Sequence, residues 1–247
     1  MPGDTRMVES LHSEHLEPWL ASLVTFVLDQ TKIGATPFVP EIPLRLGSES
    51  VSLWDRIERV IDATFARPPY WAFAWAGGQA LARYVLDNPD RVAGRRVLDL
   101  ASGSGIGGLA AKKAGAVHVI ANEVDYLATI AIALNAELND VCVEVSATDL
   151  LSPDTTFDVA NVDVVLVGDG FYDHGLSPRI VSFVHQCRAA GALVLIGDPG
   201  RADLPTELLV RVCDYVVPVT KDRQYTAAAG HGDEHDLRRA TVWTPSA

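Results

Sequence analysis

Five acidic residues of this 247-residue chain, Asp99, Glu123, Asp149, Asp169 and Asp198, each follow an apolar run of strand length. In an open α/β sheet, ligands gather beyond the carboxyl ends of the strands. Acids at five successive strand ends are therefore a candidate site rather than a scatter of solvated loop residues. The first run, Val97, Leu98, Asp99 and Leu100, leads into Ala101, Ser102, Gly103, Ser104 and Gly105, and a helical pattern begins at Ile106. A strand, a tight turn and a helix N-terminus expose bare backbone N–H groups to a ligand. Gly103, Gly105 and Gly108 satisfy the spacing G-x-G-x-x-G. Glu123 stands twenty residues after Gly103, where an acid can accept both hydroxyls of a ribose. Together these residues point to a nucleotide-like cofactor.

Asp99 separates two such cofactors. A carboxylate at the end of this strand repels the pyrophosphate of a dinucleotide and attracts a ligand carrying an amino group and a sulfonium. The run Val-Leu-Asp-Leu-x-x-Gly-x-Gly resembles the first motif of the class I S-adenosylmethionine (SAM) methyltransferases, departing from it at Ala101, where that family usually has glycine. The resemblance implies a SAM site built on Ala101, Gly103 and Gly105. In it Asp99 faces the amino group of the cofactor's methionine part and Glu123 faces the ribose. Asp149 would accept from the adenine amino group, with Ala147 or Leu150 against the ring. As Asp before Leu-Leu-Ser-Pro it reads equally as a turn residue.

Two further stretches bear on the acceptor. Pro68 to Gln79 reads Pro-Pro-Tyr-Trp-Ala-Phe-Ala-Trp-Ala-Gly-Gly-Gln, and Val167 to Asp173 reads Val-Gly-Asp-Gly-Phe-Tyr-Asp. Asp169-x-x-Tyr172 resembles the acid-x-x-aromatic motif of the family 16 seven-strand protein methyltransferases. The first stretch, together with Leu-Ile-Gly-Asp-Pro-Gly-Arg at 195–201, resembles the branch that methylates lysine on the electron transfer flavoprotein β-subunit. The similarity runs from about Glu41 to Trp243. It implies a lysine-bearing protein as partner, with Asp169 and Tyr172 lining a lysine channel; Trp75, Gly78 and Gln79, next to a helix start, read as a lid over the cofactor, with Asp169 also beside it. Trp71 reads either as a staple holding the following helix or as part of the site. Asp198 and Arg201 belong first to an Asp-Pro-Gly turn, and their strand-end position also lets either shape the site.

A lysine amine attacks only when neutral, yet its pKa in water is about 10.4. Asp169 can hold and orient the ammonium but also favours the charged form, so it need not be the base. Walls of Phe171, Tyr172 and Trp75 favour the neutral amine, and the Tyr172 ring face can attract the developing cation.

The elements that must position these residues follow from alternating patterns. Strands are expected at 96–100, 117–122, 141–145, 162–168, 191–196, 213–219 and 237–244, and helices at 106–114, 126–139, 176–189 and 203–210. Such alternation predicts a Rossmann-like α/β fold with a mostly parallel seven-stranded sheet and an antiparallel C-terminal hairpin. A methyltransferase domain is expected over 71–247. Residues 1–70 form an extension with a helical stripe from Ser10 to Gln30, an edge strand near Ile42 to Leu46, and a helix capped by Ser52 and ending near Ile61.

The net charge of −12 argues against a sequence-independent grip on nucleic acid and suits a basic protein segment. Cys142, Cys187 and Cys213, set in apolar runs far apart, read as buried thiols in a reducing compartment. The absence of a leader-like start or a membrane-length apolar run makes a cytoplasmic, membrane-free protein the expectation. His231 to Asp236 has metal-like spacing but lies in a Gly-rich loop and reads as solvated, so no metal site is expected. Three rival readings are a methyltransferase of a ribosomal protein or small amine, an NAD-dependent oxidoreductase, and a binding module that has lost catalysis. Asp99 and the terminal hairpin oppose the second, and the retained acids oppose the third.

Overall fold

The computed structural model describes residues 17–48, 50–60, 67–220 and 235–246. Helix α1 (Pro18–Gln30) has proline in its first turn, where a missing N–H leaves no intrahelical bond unmade. It runs directly into an antiparallel hairpin, β1 (Thr31–Thr36) and β2 (Val39–Gly47), followed by α2 (Ser50–Val60). The expected edge strand is thus one arm of a two-stranded sheet.

After α3 (Ala76–Asp87) the chain alternates: β3 (Arg96–Leu100), α4 (Ile106–Lys113), β4 (His118–Asn122), α5 (Tyr126–Leu138) and β5 (Glu144–Ser146). Then come β6 (Val164–Gly168), α6 (Ser177–Ala189), β7 (Leu193–Asp198), β8 (Leu209–Thr220) and β9 (His235–Pro245). The seven strands order as β5-β4-β3-β6-β7-β9-β8, with β9 antiparallel to both β7 and β8. This is the expected sheet and terminal hairpin.

One expected element is absent. The stretch 203–210 is no α-helix: a 3₁₀ turn covers Thr206–Leu208, and Leu209 already pairs with Pro245 as the start of β8. Alternating β-branched Val210 and Val212 extend the hairpin, and pairing with β9 overrides the short helical periodicity. The thiol expectation also needs correction. Cys187 is buried and Cys213 half-buried, but Cys142 is exposed because β5 starts only at Glu144.

The central strands are buried on both faces, as parallel strands covered by helices must be. Val97, Val164, Leu166 and Leu195 pack with α3, α4 and β2. Leu98, Leu100, Val165, Val167, Val194 and Ile196 pack with Ile180, Phe183 and Val184 of α6. Helix α5 gives Ile132 and Ala136 to the first core and Leu127, Ile130 and Ala131 to a third cluster with Leu20, Val27, Leu53 and Ile57. Trp71 lies in that third cluster at 1 % exposure, among residues of α1, α2 and α5; no residue of α3 belongs to it, so Trp71 is core and not a staple on the following helix. Among the described residues no helix is long and apolar enough to cross a membrane. Residues 231–234 of the histidine-rich segment lie outside the described residues.

Candidate active site

The turn after β3 holds three residues in the left-handed region: Ala101 (φ 53°), Gly103 (φ 56°) and Gly105 (φ 85°). Glycine adopts this region freely, whereas alanine there is strained by roughly 1 kcal/mol. A Cβ on Gly103 would meet no atom within 4 Å, so the turn faces open space.

Three side chains hold the turn. Asp99, only 3 % exposed, accepts through Oδ2 from the Ser102 hydroxyl and from the Gly108 amide at 2.8 Å. Glu123 accepts through Oε2 from the Gly103 amide at 3.1 Å, and through Oε1 from the Val124 and Asp125 amides at 2.8 and 3.2 Å. Asn135 of α5 is fully buried, donating to the Ser104 carbonyl at 2.9 Å and accepting from the Arg45 amide of β2 at 2.7 Å. The hairpin, α5 and the turn are thereby one hydrogen-bonded unit. Asp99 Oδ2 thus serves the turn and the first turn of α4.

The carboxylates at these two strand ends are crowded. Burial pushes Asp99 up to about 7, and the charge of Glu123 adds to that. Asp125 caps α5 by accepting from the Leu127 amide at 2.9 Å and is pushed up to about 7 by burial and by Glu123. Burial raises Glu123 as well, against the pull of its three amides. Such a cluster disfavours a pyrophosphate and favours a cationic ligand. With the open glycine turn beside it, this donor set fits SAM, whose sulfonium and ammonium are both positive.

Asp149 makes the contacts of a turn residue. Its exposed carboxylate pairs with Arg179 Nη2 at 2.9 Å and accepts from the Leu151 amide at 3.0 Å, forming the turn. Gln79 is also turned inward. At 1 % exposure it donates to the Ala74 carbonyl at 2.7 Å, bracing the entry to α3.

The second centre lies where β6, β7 and the start of α3 converge. Asp169, itself left-handed at φ 54°, accepts through Oδ2 from the Gly78 amide at 2.8 Å and through Oδ1 from Arg201 Nη2 at 2.8 Å. Trp75, at the N-cap of α3, makes no side-chain cap, so Asp169 supplies one from a distant element. Burial raises Asp169, while the Arg201 guanidinium and the α3 amides draw it back. The backbones are in direct contact: a Cβ on Gly77 would collide with the Gly197 carbonyl and Asp169 Oδ2. Asp198 is fully buried, accepting through Oδ1 from the Gly200 and Arg201 amides at 2.7 and 2.8 Å. Its Oδ2 has no hydrogen-bond partner among the described residues.

Aromatic rings surround this centre. The Arg201 guanidinium lies 5.9 Å from the Trp75 ring centroid, and Trp75 Nε1 donates to the Tyr70 carbonyl at 2.9 Å. Tyr70 and Tyr172 stand 4.9 Å apart, and Tyr172 is 45 % exposed. Phe171 belongs instead to the core, packed with the α6 residues at 1 % exposure, so it forms no channel wall. The structure thus brings together Trp75, Asp169, Tyr172 and Arg201 at one place and Ala101, Gly103, Gly105 and Glu123 at another. Sequence reasoning missed Asn135 and Tyr70. Nothing in a helical Asn marks a bridge to two other elements, whereas Tyr70 lay within the aromatic stretch already singled out.

The family model described as Ribosomal protein L11 methyltransferase (PrmA) matches residues 79–167. The electron transfer flavoprotein beta subunit lysine methyltransferase of Xenopus laevis is 35 % identical over 223 residues, covering 89 % of this chain and 85 % of that protein. The zebrafish (Danio rerio) protein of the same name is 41 % identical over 179 residues, covering 72 % of this chain and 67 % of its own length. The human protein is 40 % identical over 187 residues, covering 75 % and 68 %. On these similarities, the chain belongs to the electron transfer flavoprotein β-subunit lysine methyltransferase family.

Proposed function

We propose that this protein binds SAM at the glycine turn and methylates a lysine of the electron transfer flavoprotein β-subunit. The observation that carries this reading is the 35–41 % identity to relatives bearing that name. Glu123 and the amides after β3 would hold the ribose, and the charges of Asp99, Glu123 and Asp125 would favour the cationic end. SAM supplies an electrophilic methyl group: the amine lone pair forms the N–C bond while the C–S electron pair departs to sulfur.

The protein's own part is alignment and control of charge. Holding two reactants in line contributes a large share of the acceleration in such displacements. Asp169 would orient the incoming amine, with Tyr70, Tyr172 and Trp75 lining its approach. The net charge of −12 complements a lysine-bearing segment.

The match to the ribosomal protein L11 methyltransferase family favours a second acceptor, but it ends at residue 167, before Asp169. It therefore spans the glycine turn and Glu123 and leaves out the acceptor-side residues. Incubation with labelled SAM, purified electron transfer flavoprotein and ribosomal proteins separates the two. Label on a β-subunit lysine is expected; label on ribosomal protein alone overturns the assignment.

A further inference from the structure

We infer that Arg201 is a positioning residue that lets the acceptor lysine lose its proton, because its ion pair with Asp169 cancels the charge that would otherwise hold the amine as ammonium. The inference rests on the lysine-methyltransferase reading above. Three contacts fix Arg201: its amide donates to Asp198 at 2.8 Å, its Nη2 donates to Asp169 at 2.8 Å, and its guanidinium lies over Trp75. The buried Asp198 carboxylate and the Gly200 turn thus aim the side chain at Asp169.

A lone carboxylate beside the amine would raise the pKa of the amine above its free value of about 10.4. A carboxylate already neutralised by a guanidinium raises it far less, while still offering lone pairs to orient the nitrogen. Arginine suits this task because it stays protonated at every relevant pH. The bound ammonium gives its proton to water, and the freed lone pair then accepts the methyl group.

Other charged groups bear on the same place. Asp198, at the end of β7, is pushed up to about 6 by burial and by Asp169, and is ionised above that pH. Tyr172 is pushed up to about 12 by burial and by Glu123, Tyr70 and Asp173, against Arg67, and stays neutral. His174 and Asp203 pair at 2.6 Å between the loops after β6 and β7. Removing the Arg201 side chain leaves Asp169 without its paired cation, beside the Asp198 carboxylate.

The test is the single-turnover methylation rate against pH, at saturating SAM and β-subunit, for wild type, Arg201→Gln and Arg201→Lys. Arg201→Gln should move the ascending limb up by about one pH unit or more, lowering the rate at pH 7 about tenfold, with the deficit closing only above about pH 10 as the raised amine pKa is approached. Arg201→Lys should keep the wild-type limb. Equal loss at every pH in Arg201→Gln, or a shifted limb in Arg201→Lys, overturns the inference. If Arg201→Gln fails to fold, Asp169→Asn carries the test: the unpaired guanidinium must move the limb to lower pH, and an unmoved limb overturns the idea. A wild-type enzyme that binds SAM but methylates no lysine overturns the functional reading itself, and this inference with it.

Discussion

The carboxylate of Asp169 meets the amide of Gly78, 91 residues away in sequence, at 2.8 Å. This bond closes the N-terminus of α3 with a side chain from the end of β6. It fixes Trp75 immediately before that helix, so the aromatic wall and the acid are positioned by one interaction. It also requires glycine at position 77, because the α3 and β7 backbones touch there.

Asp169→Asn should therefore act twice. The amide oxygen can still accept from Gly78, so the protein should fold with a modest fall in melting temperature. Loss of the charge removes the Arg201 pair and the group that orients the amine. A misplacement of about 1 Å can lower a rate roughly 100-fold when alignment dominates. SAM affinity by calorimetry should change little, and raising SAM should not restore the rate. Full recovery at saturating SAM would place Asp169 outside the acceptor side.

Glu123→Ala should give the opposite pattern. Its carboxylate accepts from the Gly103 amide at 3.1 Å, so it shapes the cofactor turn as well as facing the ribose. Hydrogen bonds to charged groups contribute about 1.5–3 kcal/mol, a drop of roughly ten- to a hundred-fold in SAM affinity. High SAM should restore much of the rate. Unchanged affinity would exclude Glu123 from the pocket.

The strand–turn–helix at 97–108 and the terminal hairpin were legible because local periodicity and glycine spacing specify them. Partners distant in sequence were not. Asp149 turns to Arg179, thirty residues on, and Asp169 to Arg201, thirty-two residues on. The helix expected at 203–210 fails for the same reason: Leu209 and Val210 pair with Pro245 and Thr244, which local pattern does not reveal. The aromatic stretch announced a site, but only packing separates core Trp71 and Phe171 from Trp75 and Tyr172 at the exposed edge.

Ala101→Gly should stabilise the protein. Ala101 is held at φ 53°, where glycine removes a strain of about 1 kcal/mol. In a chain of this size that corresponds to roughly 2–4 °C in melting temperature. Calorimetry checks it, and a lower melting temperature for the glycine variant would mean that the methyl group packs favourably.

The acids around the turn predict how stability depends on pH. In the folded state Asp99 and Asp125 are both pushed up to about 7, from an ordinary carboxylate value of 3.8. The folded protein thus binds protons between pH 4 and 7 that the unfolded chain does not. Stability from these groups is fully present below about pH 4 and is lost as pH rises through 7, at up to about 1.4 kcal/mol per pH unit for each group. Asp198, pushed up to about 6, adds in the same direction. The ligand-free protein should melt at a higher temperature at pH 5.5 than at pH 7.5. Asp99→Asn should flatten that slope, since an amide oxygen can still accept from Ser102 and Gly108 without titrating. SAM should narrow the difference, because its positive charge favours the ionised carboxylates and so binds more tightly as pH rises. Scanning calorimetry across this range, with and without SAM, is the measurement. A wild-type melting temperature that is flat or rising from pH 5.5 to 7.5 would mean that the buried acids are already ionised in the folded state.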